Sequence, residues 1–495
     1  MSSDQANLGN TALAWEVLLD LDAEAGRLRD RMERALRAAI GDGRLAPGSV
    51  LPPSRLLAAR LGISRWVVTE AYGQLVAEGV LEARVGAGTR VPPPKASPLA
   101  QALPPQSGRG DRRADVGGGA VDMATSRPAP ARFDLGAGKP DLRFAPRDRW
   151  IAAMRRALAV LPDAELTESP RNGNPRARAA VAAHLVASRN ALTGPAEVVV
   201  TASTRDAVDR VAAALRTLGH THLLVEDPSW SALRTIAAQH GLAPVPVPVD
   251  DDGVDVDALV DTAHRTGARV ALVTPAHQFP LGAALSPGRR EALARWAREQ
   301  DAVLIEDDYD AEFRYDRRPI AALQRHAPER TVLLGSLSKS VSPAFGIGWA
   351  VVPEWLQAAL PPTSSRPSTL DQLAFAEFVE GGDFARHLRA SRIRLGRRRA
   401  TLAAAVAREL PGARLTGIEA GMHAVLALPS GMTAASVVTA AAAAGVEVSD
   451  AAWYRASETP RPEALVLSYG NLADPLVDEA VAELARIIQG LVPRR

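Results

Sequence analysis

The chain is organised around Gly335-Ser336-Leu337-Ser338-Lys339-Ser340. This stretch follows an apolar run at 331–334, a pattern typical of a strand that ends in a tight loop. Three of the 58 Lys and Arg residues are lysines, and Lys339 is one of them. A buried ammonium can lose its proton and a guanidinium cannot, so a lysine in such an arginine-rich chain indicates a reactive amine. The glycine and the hydroxyl residues beside it can approach a phosphate closely.

A second polar stretch follows another predicted strand. Residues 302–305 read as a buried parallel strand that leads into Glu306-Asp307-Asp308-Tyr309. Ligands of open α/β sheets bind at the carboxyl ends of the strands, so Asp307 and Tyr309 are expected near Lys339. A carboxylate can keep a pyridinium nitrogen protonated and a phenol can donate to a ring oxygen, as pyridoxal 5'-phosphate requires. The alternative is a surface pair of aspartates and an unrelated lysine, and the spacing of the two stretches favours the cofactor.

Composition limits the possible classes of protein. The 495 residues suffice for more than one domain, and 47% hydrophobic with 23% charged residues is typical of a globular protein. The formal net charge is +2, so only local charge can indicate nucleic acid. The absence of cysteine excludes disulfides, thiolate metal sites and cysteine nucleophiles, and no metal site is predicted. No signal-peptide pattern and no run of about 18 apolar residues occurs, so a cytoplasmic protein without a membrane span is expected.

The first part of the chain predicts helices followed by a hairpin. The first helix has an apolar residue at every fourth position, at Leu28, Met32, Leu36 and Ile40. Ser54 and Ser64 are candidate N-caps of a second and a third helix, and residues 80–91 read as two strands. This order predicts a winged helix-turn-helix whose third helix enters the major groove of DNA. Residues 25–91 hold 11 arginines and six acidic residues, a basic surface that the whole-chain charge hides. The alternative is a helical module that contacts protein.

Short motifs make this module similar to the DNA-binding domain of GntR-type regulators. They are Gly43-Arg44-Leu45-Ala46-Pro47-Gly48, Leu51-Pro52-Pro53-Ser54-Arg55, Leu61-Gly62-Ile63-Ser64-Arg65 and Ala77-Glu78-Gly79. The resemblance implies DNA contacts from the third helix, the turn before it and the wing, at Arg55, Ser64, Arg65, Trp66, Thr69, Gly86, Gly88 and Thr89. Arg65 can bind a phosphate or a guanine, and the sequence leaves both open.

A linker divides the chain. Residues 93–130 are rich in proline, glycine and charge and have no hydrophobic period, which predicts a flexible or semi-rigid tether. We assign the winged helix-turn-helix to residues 21–92 and a second domain to residues 131–495. In the second domain short apolar strands alternate with helices, which predicts a mostly parallel sheet followed by a small C-terminal α/β subdomain. The strands are expected at 198–200, 223–225, 245–247, 270–273, 302–305 and 332–334, and in the subdomain at 424–428 and 465–468.

The second domain resembles a fold-type I aminotransferase domain, in the form found in the MocR subfamily of GntR-type regulators. The resemblance is carried, in order, by residues 226–230, 274–282, 306–313 and 336–349. It implies a covalent bond from Lys339 to pyridoxal 5'-phosphate, with Asp307 at the pyridine nitrogen and Tyr309 at the ring hydroxyl. It further implies that Trp230 stacks on the ring. The remaining implied cofactor residues are Ser203, Thr204, Ser336 and Ser338 near the phosphate, and His277 and Gln278 in a loop along the pocket.

Four positions depart from the family pattern, and one of them is Ser203, which replaces the usual glycine of the early phosphate loop. Gly346 stands where family members usually have an arginine on the cofactor phosphate, and Val466 stands where aminotransferases place an arginine for the substrate carboxylate. Arg205 is an unexpected cation in the early phosphate loop and can supply the missing charge. The loss of one charge-assisted contact predicts weaker binding of pyridoxal 5'-phosphate. The loss of the carboxylate-binding arginine argues against catalytic transamination.

The sequence therefore predicts a multi-domain, dimeric transcriptional regulator. It is expected to bind an operator in double-stranded DNA and to sense a small amine or amino-acid-like effector through pyridoxal 5'-phosphate. Two alternatives stay open: a working aminotransferase with an accessory domain, and a regulator whose second domain has lost the cofactor and only dimerises. The winged helix argues against the first, since an aminotransferase needs no DNA-reading helix.

Overall fold

The computed structural model describes residues 19, 21, 28–42, 44–45, 48–77, 80–84, 88–92, 131–315, 320–362 and 366–491. The predicted linker and Gly86 of the predicted wing lie outside these residues. The chain divides into two compact units, the first ending at Pro130 and the second starting at Ala131.

The N-terminal unit is a winged helix-turn-helix, as the sequence predicts. Its described helices are α1 (Leu28–Gly41), α2 (Ser54–Leu61) and α3 (Arg65–Ala77). Its described strands, β1 (Val50–Leu51), β2 (Glu82–Arg84) and β3 (Gly88–Arg90), form an antiparallel sheet in the order β1-β3-β2. The apolar faces of the helices meet in one core, which includes Met32, Leu36, Leu57, Val68 and Leu75.

The turn between α2 and α3 follows from three residues. Gly62 ends α2 with φ at 65°, a left-handed conformation that glycine adopts without a steric cost. Ser64 Oγ accepts a hydrogen bond from the N–H of Val67 at 3.4 Å and so caps α3 as predicted. Ser54, in contrast, does not cap α2, because Pro53 occupies the N-cap position and Ser54 is the first helical residue. Its hydroxyl accepts a hydrogen bond from Arg65 Nε at 3.4 Å instead.

The C-terminal unit is built on a large, mostly parallel sheet. It begins with β4 (Phe133–Asp134), and the large sheet contains β5 (Val198–Thr201), β6 (His222–Asp227), β7 (Ala243–Asp250), β8 (Gly253–Val254), β9 (Val270–Val273), β10 (Val303–Asp307), β11 (Thr331–Ser336) and β12 (Gly348–Val351). Their order is β5-β12-β11-β10-β9-β6-β7-β8. The predicted strands all occur, whereas β12, which the sequence analysis did not predict, runs antiparallel to β5 and β11.

Helices pack on both faces of this sheet. Val303 and Ile305 of β10 belong to one apolar cluster and Leu304 belongs to another, which accounts for the uninterrupted apolar sequence of the strand. The described helices of this unit that precede the subdomain are α4 (Arg147–Val160), α5 (Pro175–Arg189), α6 (Thr204–Thr217), α7 (Ser231–Gln239), α8 (Val256–Thr266), α9 (Pro287–Glu299), α10 (Leu337–Ser340), α11 (Glu354–Gln357), α12 (Thr369–Glu380) and α13 (Asp383–Glu409).

A smaller α/β subdomain follows, as predicted. It contains β13 (Leu415–Thr416), β14 (His423–Ala427), α14 (Ala434–Ala443), β15 (Val446–Glu447), β16 (Ser449–Asp450), β17 (Ala464–Ser468) and α15 (Val477–Leu491). The order of its antiparallel sheet is β13-β14-β17-β16, and β15 pairs in parallel with β4. Across the described residues, every helix is too short or too polar to cross a membrane.

Candidate cofactor and DNA-binding sites

The candidate DNA-contacting residues lie on the accessible side of the N-terminal unit. The exposed ones are Arg55, Ser64, Arg65, Trp66 and Thr69, around the start of α3. Trp66 is 63% accessible, so its ring gains little from packing within the unit. On β3, Gly88 is exposed and Thr89 is half-buried. Exposed cations, hydroxyls and an aromatic ring are the groups that bind phosphates and base edges.

A cavity of about 360 Å³ lies where β5, β10 and β11 end. It is lined by most of the predicted cofactor residues, namely Ser203, Thr204, Arg205, Trp230, Asp307, Tyr309, Ser336, Ser338 and Lys339. Further lining residues were not predicted, among them Gly138, Phe279, Asp310, Met422, His423 and Tyr454. Asp310 lies within the quoted motif 306–313 and could have been found there. Phe279 likewise lies within the quoted motif 274–282. Gly138, Met422, His423 and Tyr454 come from distant segments whose sequence carries no local signal.

Lys339 has an environment that favours the neutral amine. Burial lowers the pKa of its ammonium, Asp307 and Asp310 oppose this shift, and Arg205 adds to it. Its Nζ donates a hydrogen bond to the carbonyl oxygen of Gly138. The nitrogen lies 5.9 Å from the centre of the Trp230 ring, on the same cavity wall. A half-buried amine with a lowered pKa is the nucleophile that a carbonyl cofactor requires.

Asp307 has a buried carboxyl group, one oxygen of which lacks a hydrogen-bond partner among the described residues. It is 4% accessible, and its Oδ1 has no hydrogen-bond partner within the described part of the chain. Burial, and then the negative charges of Asp308 and Asp310, raise the pKa of Asp307 to about 7, while Lys339 lowers it. A pyridinium N–H would supply both the missing donor and the missing positive charge. The carboxyl group therefore fits the ring end of pyridoxal 5'-phosphate.

The opposite end of the cavity is suited to a phosphate. Ser203 is the N-cap of α6, and its Oγ accepts a hydrogen bond from the N–H of Asp206 at 3.2 Å. Thr204 Oγ1 donates to Ser336 Oγ at 3.3 Å, which joins the helix start to the end of β11. Arg205, on the first turn of α6, lies 5.1 Å from the centre of the Trp230 ring. Hydroxyls, a helix N-terminus and a cation are the usual partners of a phosphate.

Two predicted cofactor residues lie behind the cavity wall. His277 and Gln278 are buried and do not line the cavity, so their predicted contact with a cofactor is indirect. Gln278 Nε2 donates to Glu226 Oε2 at 3.2 Å and to the carbonyl of Pro228 at 2.8 Å. These bonds hold the loop that precedes Trp230. Burial raises the pKa of Glu226 to about 7, and its bonds with Thr274 and Gln278 act in the opposite direction.

A trio of buried residues has the composition of a metal site. His277, Asp310 and His423 each offer a ligand atom within 4.8 Å of the other two. However, His277 Nδ1 lies 2.9 Å from Asp310 Oδ2, and His423 Nε2 lies 3.0 Å from the carbonyl oxygen of Pro280. These hydrogen bonds occupy one nitrogen of each histidine and one oxygen of Asp310, while His277 Nε2 and Asp310 Oδ1 have no hydrogen-bond partner in the described part of the chain.

Comparison with known proteins places both units in one family. A family model described as "Bacterial regulatory proteins, gntR family" matches residues 28–91, and one described as "Aminotransferase class I and II" matches residues 132–483. The pyridoxine biosynthesis transcriptional regulator PdxR of Corynebacterium glutamicum is 32% identical over 92% of this chain and 94% of its own length. The probable rhizopine catabolism regulatory protein MocR of Rhizobium meliloti is 33% identical over 76% of both chains. The chain belongs to the MocR subfamily of GntR-type transcriptional regulators.

Solved structures agree with the fold of this MocR-type regulator. An archaeal alanine:glyoxylate aminotransferase has a TM-score of 0.67 at 25% identity, and it matches 72% of this chain and 91% of its own. The alpha-aminoadipate aminotransferase of Thermus thermophilus has a TM-score of 0.64 at 26% identity, over 73% of this chain and 92% of its own. The latter structure holds N-(5'-phosphopyridoxyl)-L-leucine. The MocR-type regulator is thus a DNA-binding transcriptional regulator whose aminotransferase fold implies a site for pyridoxal 5'-phosphate.

Proposed function

We propose that this MocR-type regulator holds pyridoxal 5'-phosphate on Lys339 and uses it to detect a small amine or amino-acid-like effector. The observation that carries the proposal is one cavity in which a reactive amine faces a partnerless carboxyl oxygen and a hydroxyl-rich helix start. When bound, the cofactor supplies an aldehyde that reacts with primary amines and a ring that withdraws electrons. A regulator that holds such a group can distinguish primary amines from other small molecules by their reaction with the aldehyde.

Each cavity residue has a defined part in this proposal. Asp307 would accept a hydrogen bond from the pyridine nitrogen, and the Tyr309 hydroxyl would donate to the ring oxygen. Trp230 would cover one face of the ring. The start of α6 would hold the phosphate, with the hydroxyls of Ser203, Thr204, Ser336 and Ser338. Arg205 supplies the positive charge that Gly346 does not provide.

The lining of the cavity favours detection over transamination. Among the described lining residues, Lys339 and Arg205 are the cations, and both have parts at the cofactor. Val466 is buried on β17 and does not line the cavity. A substrate carboxylate therefore lacks the bidentate guanidinium that would fix it for catalysis. This supports a sensor of amines rather than an aminotransferase.

A second candidate is that pyridoxal 5'-phosphate is itself the signal. The lack of a further cation for a carboxylate favours this reading, since the cofactor alone would then complete the site. The relative from Corynebacterium glutamicum is named for the regulation of pyridoxine biosynthesis. Operator binding measured with the cofactor alone, and then with added primary amines, separates the two candidates. A change with the cofactor alone, and no further change with amines, supports the second.

The cofactor site is tested by Lys339→Ala. We expect the purified protein to absorb at about 420 nm after addition of pyridoxal 5'-phosphate, and the variant to lose this absorbance. The matched control is Lys139→Ala, because the amine of Lys139 is held in ion pairs with Asp134 and Glu447 at 3.0 Å. Borohydride reduction followed by mass spectrometry should find the adduct on Lys339. A wild-type protein with neither absorbance nor adduct in excess cofactor would favour a domain that only dimerises.

We further propose that the regulator acts in the cytoplasm as a homodimer on double-stranded DNA. The boundaries 21–92, 93–130 and 131–495 remain our assignment of its DNA-binding domain, linker and effector domain. Limited proteolysis tests them, since cleavage should concentrate in residues 93–130 and release two resistant fragments.

A further inference from the structure

Tyr309 lies between the cavity and a buried pair of residues. Its hydroxyl oxygen is 3.2 Å from His277 Nδ1, and the same nitrogen is 2.9 Å from Asp310 Oδ2. His277 is 2% accessible and Asp310 is 1% accessible. Gly421 leaves room for them, because a Cβ at that position would lie 2.2 Å from His277 Cε1 and 2.3 Å from Asp310 Oδ2. Close packing therefore holds the pair in one geometry.

The other nitrogen of His277 decides where the proton lies. His277 Nε2 is buried without a hydrogen-bond partner in the described part of the chain. Burying an N–H group without an acceptor costs more free energy than burying a nitrogen lone pair without a donor, so the neutral ring carries its hydrogen on Nδ1. The Nδ1–H group then donates to the carboxylate of Asp310. This nitrogen is consequently unable to accept the hydroxyl proton of Tyr309.

We propose that Asp310 and His277 are positioning residues that direct the hydroxyl proton of Tyr309 toward the ring oxygen of bound pyridoxal 5'-phosphate. Asp310 accepts the Nδ1–H of His277 and stabilises this tautomer, in which neither ring nitrogen can accept the phenol proton. That proton is left to the Asp310 carboxylate beside it or to an acceptor in the cavity. The inference rests on the proposed function, which supplies that acceptor. Burial, followed by the charges of Asp310 and Asp307, raises the pKa of Tyr309 well above its usual value, so the phenol remains a donor.

The inference predicts which substitutions act together. Tyr309→Phe removes the hydrogen-bond donor. Asp310→Ala removes the carboxylate that holds the hydrogen of His277 on Nδ1. His277→Phe leaves the Asp310 carboxylate to accept a hydrogen bond from the Tyr309 hydroxyl. We expect each variant to bind pyridoxal 5'-phosphate about 10-fold more weakly, the loss of one hydrogen bond to a charged oxygen. Tyr309→Phe combined with Asp310→Ala should lose no more than either change alone, since both remove the same bond. The phenylalanine variants preserve most of the side-chain volume if Asp310→Ala does not fold.

A ligand that lacks the ring oxygen separates positioning from general damage. The probe is 3-deoxypyridoxal 5'-phosphate, which keeps the aldehyde and the phosphate. Wild-type protein and all three variants should bind it with equal affinity. The matched control is Tyr72→Phe, because Tyr72 lies in the N-terminal unit, where its hydroxyl donates to the carbonyl oxygen of Pro52 at 3.0 Å. This variant should bind both ligands as the wild type does.

Each outcome has a distinct meaning. Equal weakening of both ligands in Asp310→Ala and His277→Phe would overturn the inference in favour of a structural role. Unchanged affinity of these variants for pyridoxal 5'-phosphate, or additive losses in the double variant, would also overturn it. A wild-type protein that binds neither ligand would overturn the proposed function itself, together with this inference.

Discussion

At the scale of single residues, burial of the Asp307 carboxyl group lowers the free energy of unfolding of the cofactor-free protein, and the same group is a proposed partner of the cofactor. Its pKa of about 7 lies above the ordinary value of 3.8, with burial as the main cause. Between about pH 4 and pH 7, Asp307 therefore keeps its proton in the folded protein and has lost it in the unfolded chain. Over that range the free energy of unfolding falls as the pH rises. Below it Asp307 is protonated in both states, so it no longer makes the free energy of unfolding depend on pH.

Asp307→Asn should expose this cost. In the cofactor-free protein at pH 8 we expect the substitution to raise the free energy of unfolding by about 1–3 kcal/mol, because it removes a buried charge. At pH 4 the two proteins should differ much less. Urea unfolding at both pH values measures the effect, and binding of pyridoxal 5'-phosphate should weaken in the same variant. Equal stability differences at both pH values would show that burial of this charge is not the cause.

Arg205 and Gly346 together decide how the phosphate is held. Gly346 has φ at 57°, and a Cβ there would meet nothing within 4 Å, so the position has space but a left-handed backbone. An arginine introduced at Gly346 would carry a backbone cost of about 1–2 kcal/mol, which offsets much of a new phosphate contact. The cation on α6 is therefore the simpler way to hold the phosphate.

Arg205→Ala should weaken the binding of pyridoxal 5'-phosphate by about 10- to 100-fold, the loss of one charge-assisted contact. Titration followed by absorbance at about 420 nm measures the change. Arg216→Ala is the matched control, since Arg216 is exposed near the other end of the same helix. Similar affinities for the two variants would remove Arg205 from the phosphate site.

At the scale of elements, periodicity and burial made most of the fold predictable. The parallel strands are continuous apolar runs because both of their faces are covered, and the sequence analysis found them for that reason. In contrast, β12 begins with Gly348, a residue that weakens a strand pattern, and its antiparallel direction depends on pairing with β5 and β11. His423 and Tyr454 reach the cavity through such long-range pairing and packing, which no local pattern encodes.

The recognition helix α3 allows a direct test of the DNA site. Arg65 is exposed in the first turn of the helix, where side chains can reach the major groove. If it binds a phosphate, Arg65→Ala should weaken operator binding and lower the slope of log K against log salt by about one unit. A loss confined to one base position would indicate contact with guanine. Mobility shifts over a salt series measure both quantities.

Arg216→Ala is again the control, because it removes one positive charge from the other unit. It should leave both the operator affinity and the salt slope unchanged. If Arg65→Ala behaves like this control, Arg65 makes no contact with DNA.

At the scale of the whole molecule, the C-terminal unit has an apolar surface that a second copy could cover. Ile151, Leu158, Val160 and Leu166 are between 45% and 70% accessible. Val160 borders a groove of about 610 Å³ that also has Glu165, Glu168 and Arg176 along it. An apolar patch beside both signs of charge can be complementary to itself across a two-fold axis.

We therefore predict that Val160→Asp combined with Leu166→Asp dissociates the proposed homodimer. Each would place a charge in an apolar contact, and the two-fold symmetry would introduce each charge twice, so the dissociation constant should rise at least about 100-fold. Light scattering at micromolar concentration should find a dimer for the wild type and mostly monomer for the double variant. Ile393→Asp is the control, because Ile393 is 51% accessible but lies on α13, away from the groove. A dimer that survives the double substitution, or that dissociates equally in the control, would exclude this surface as the interface.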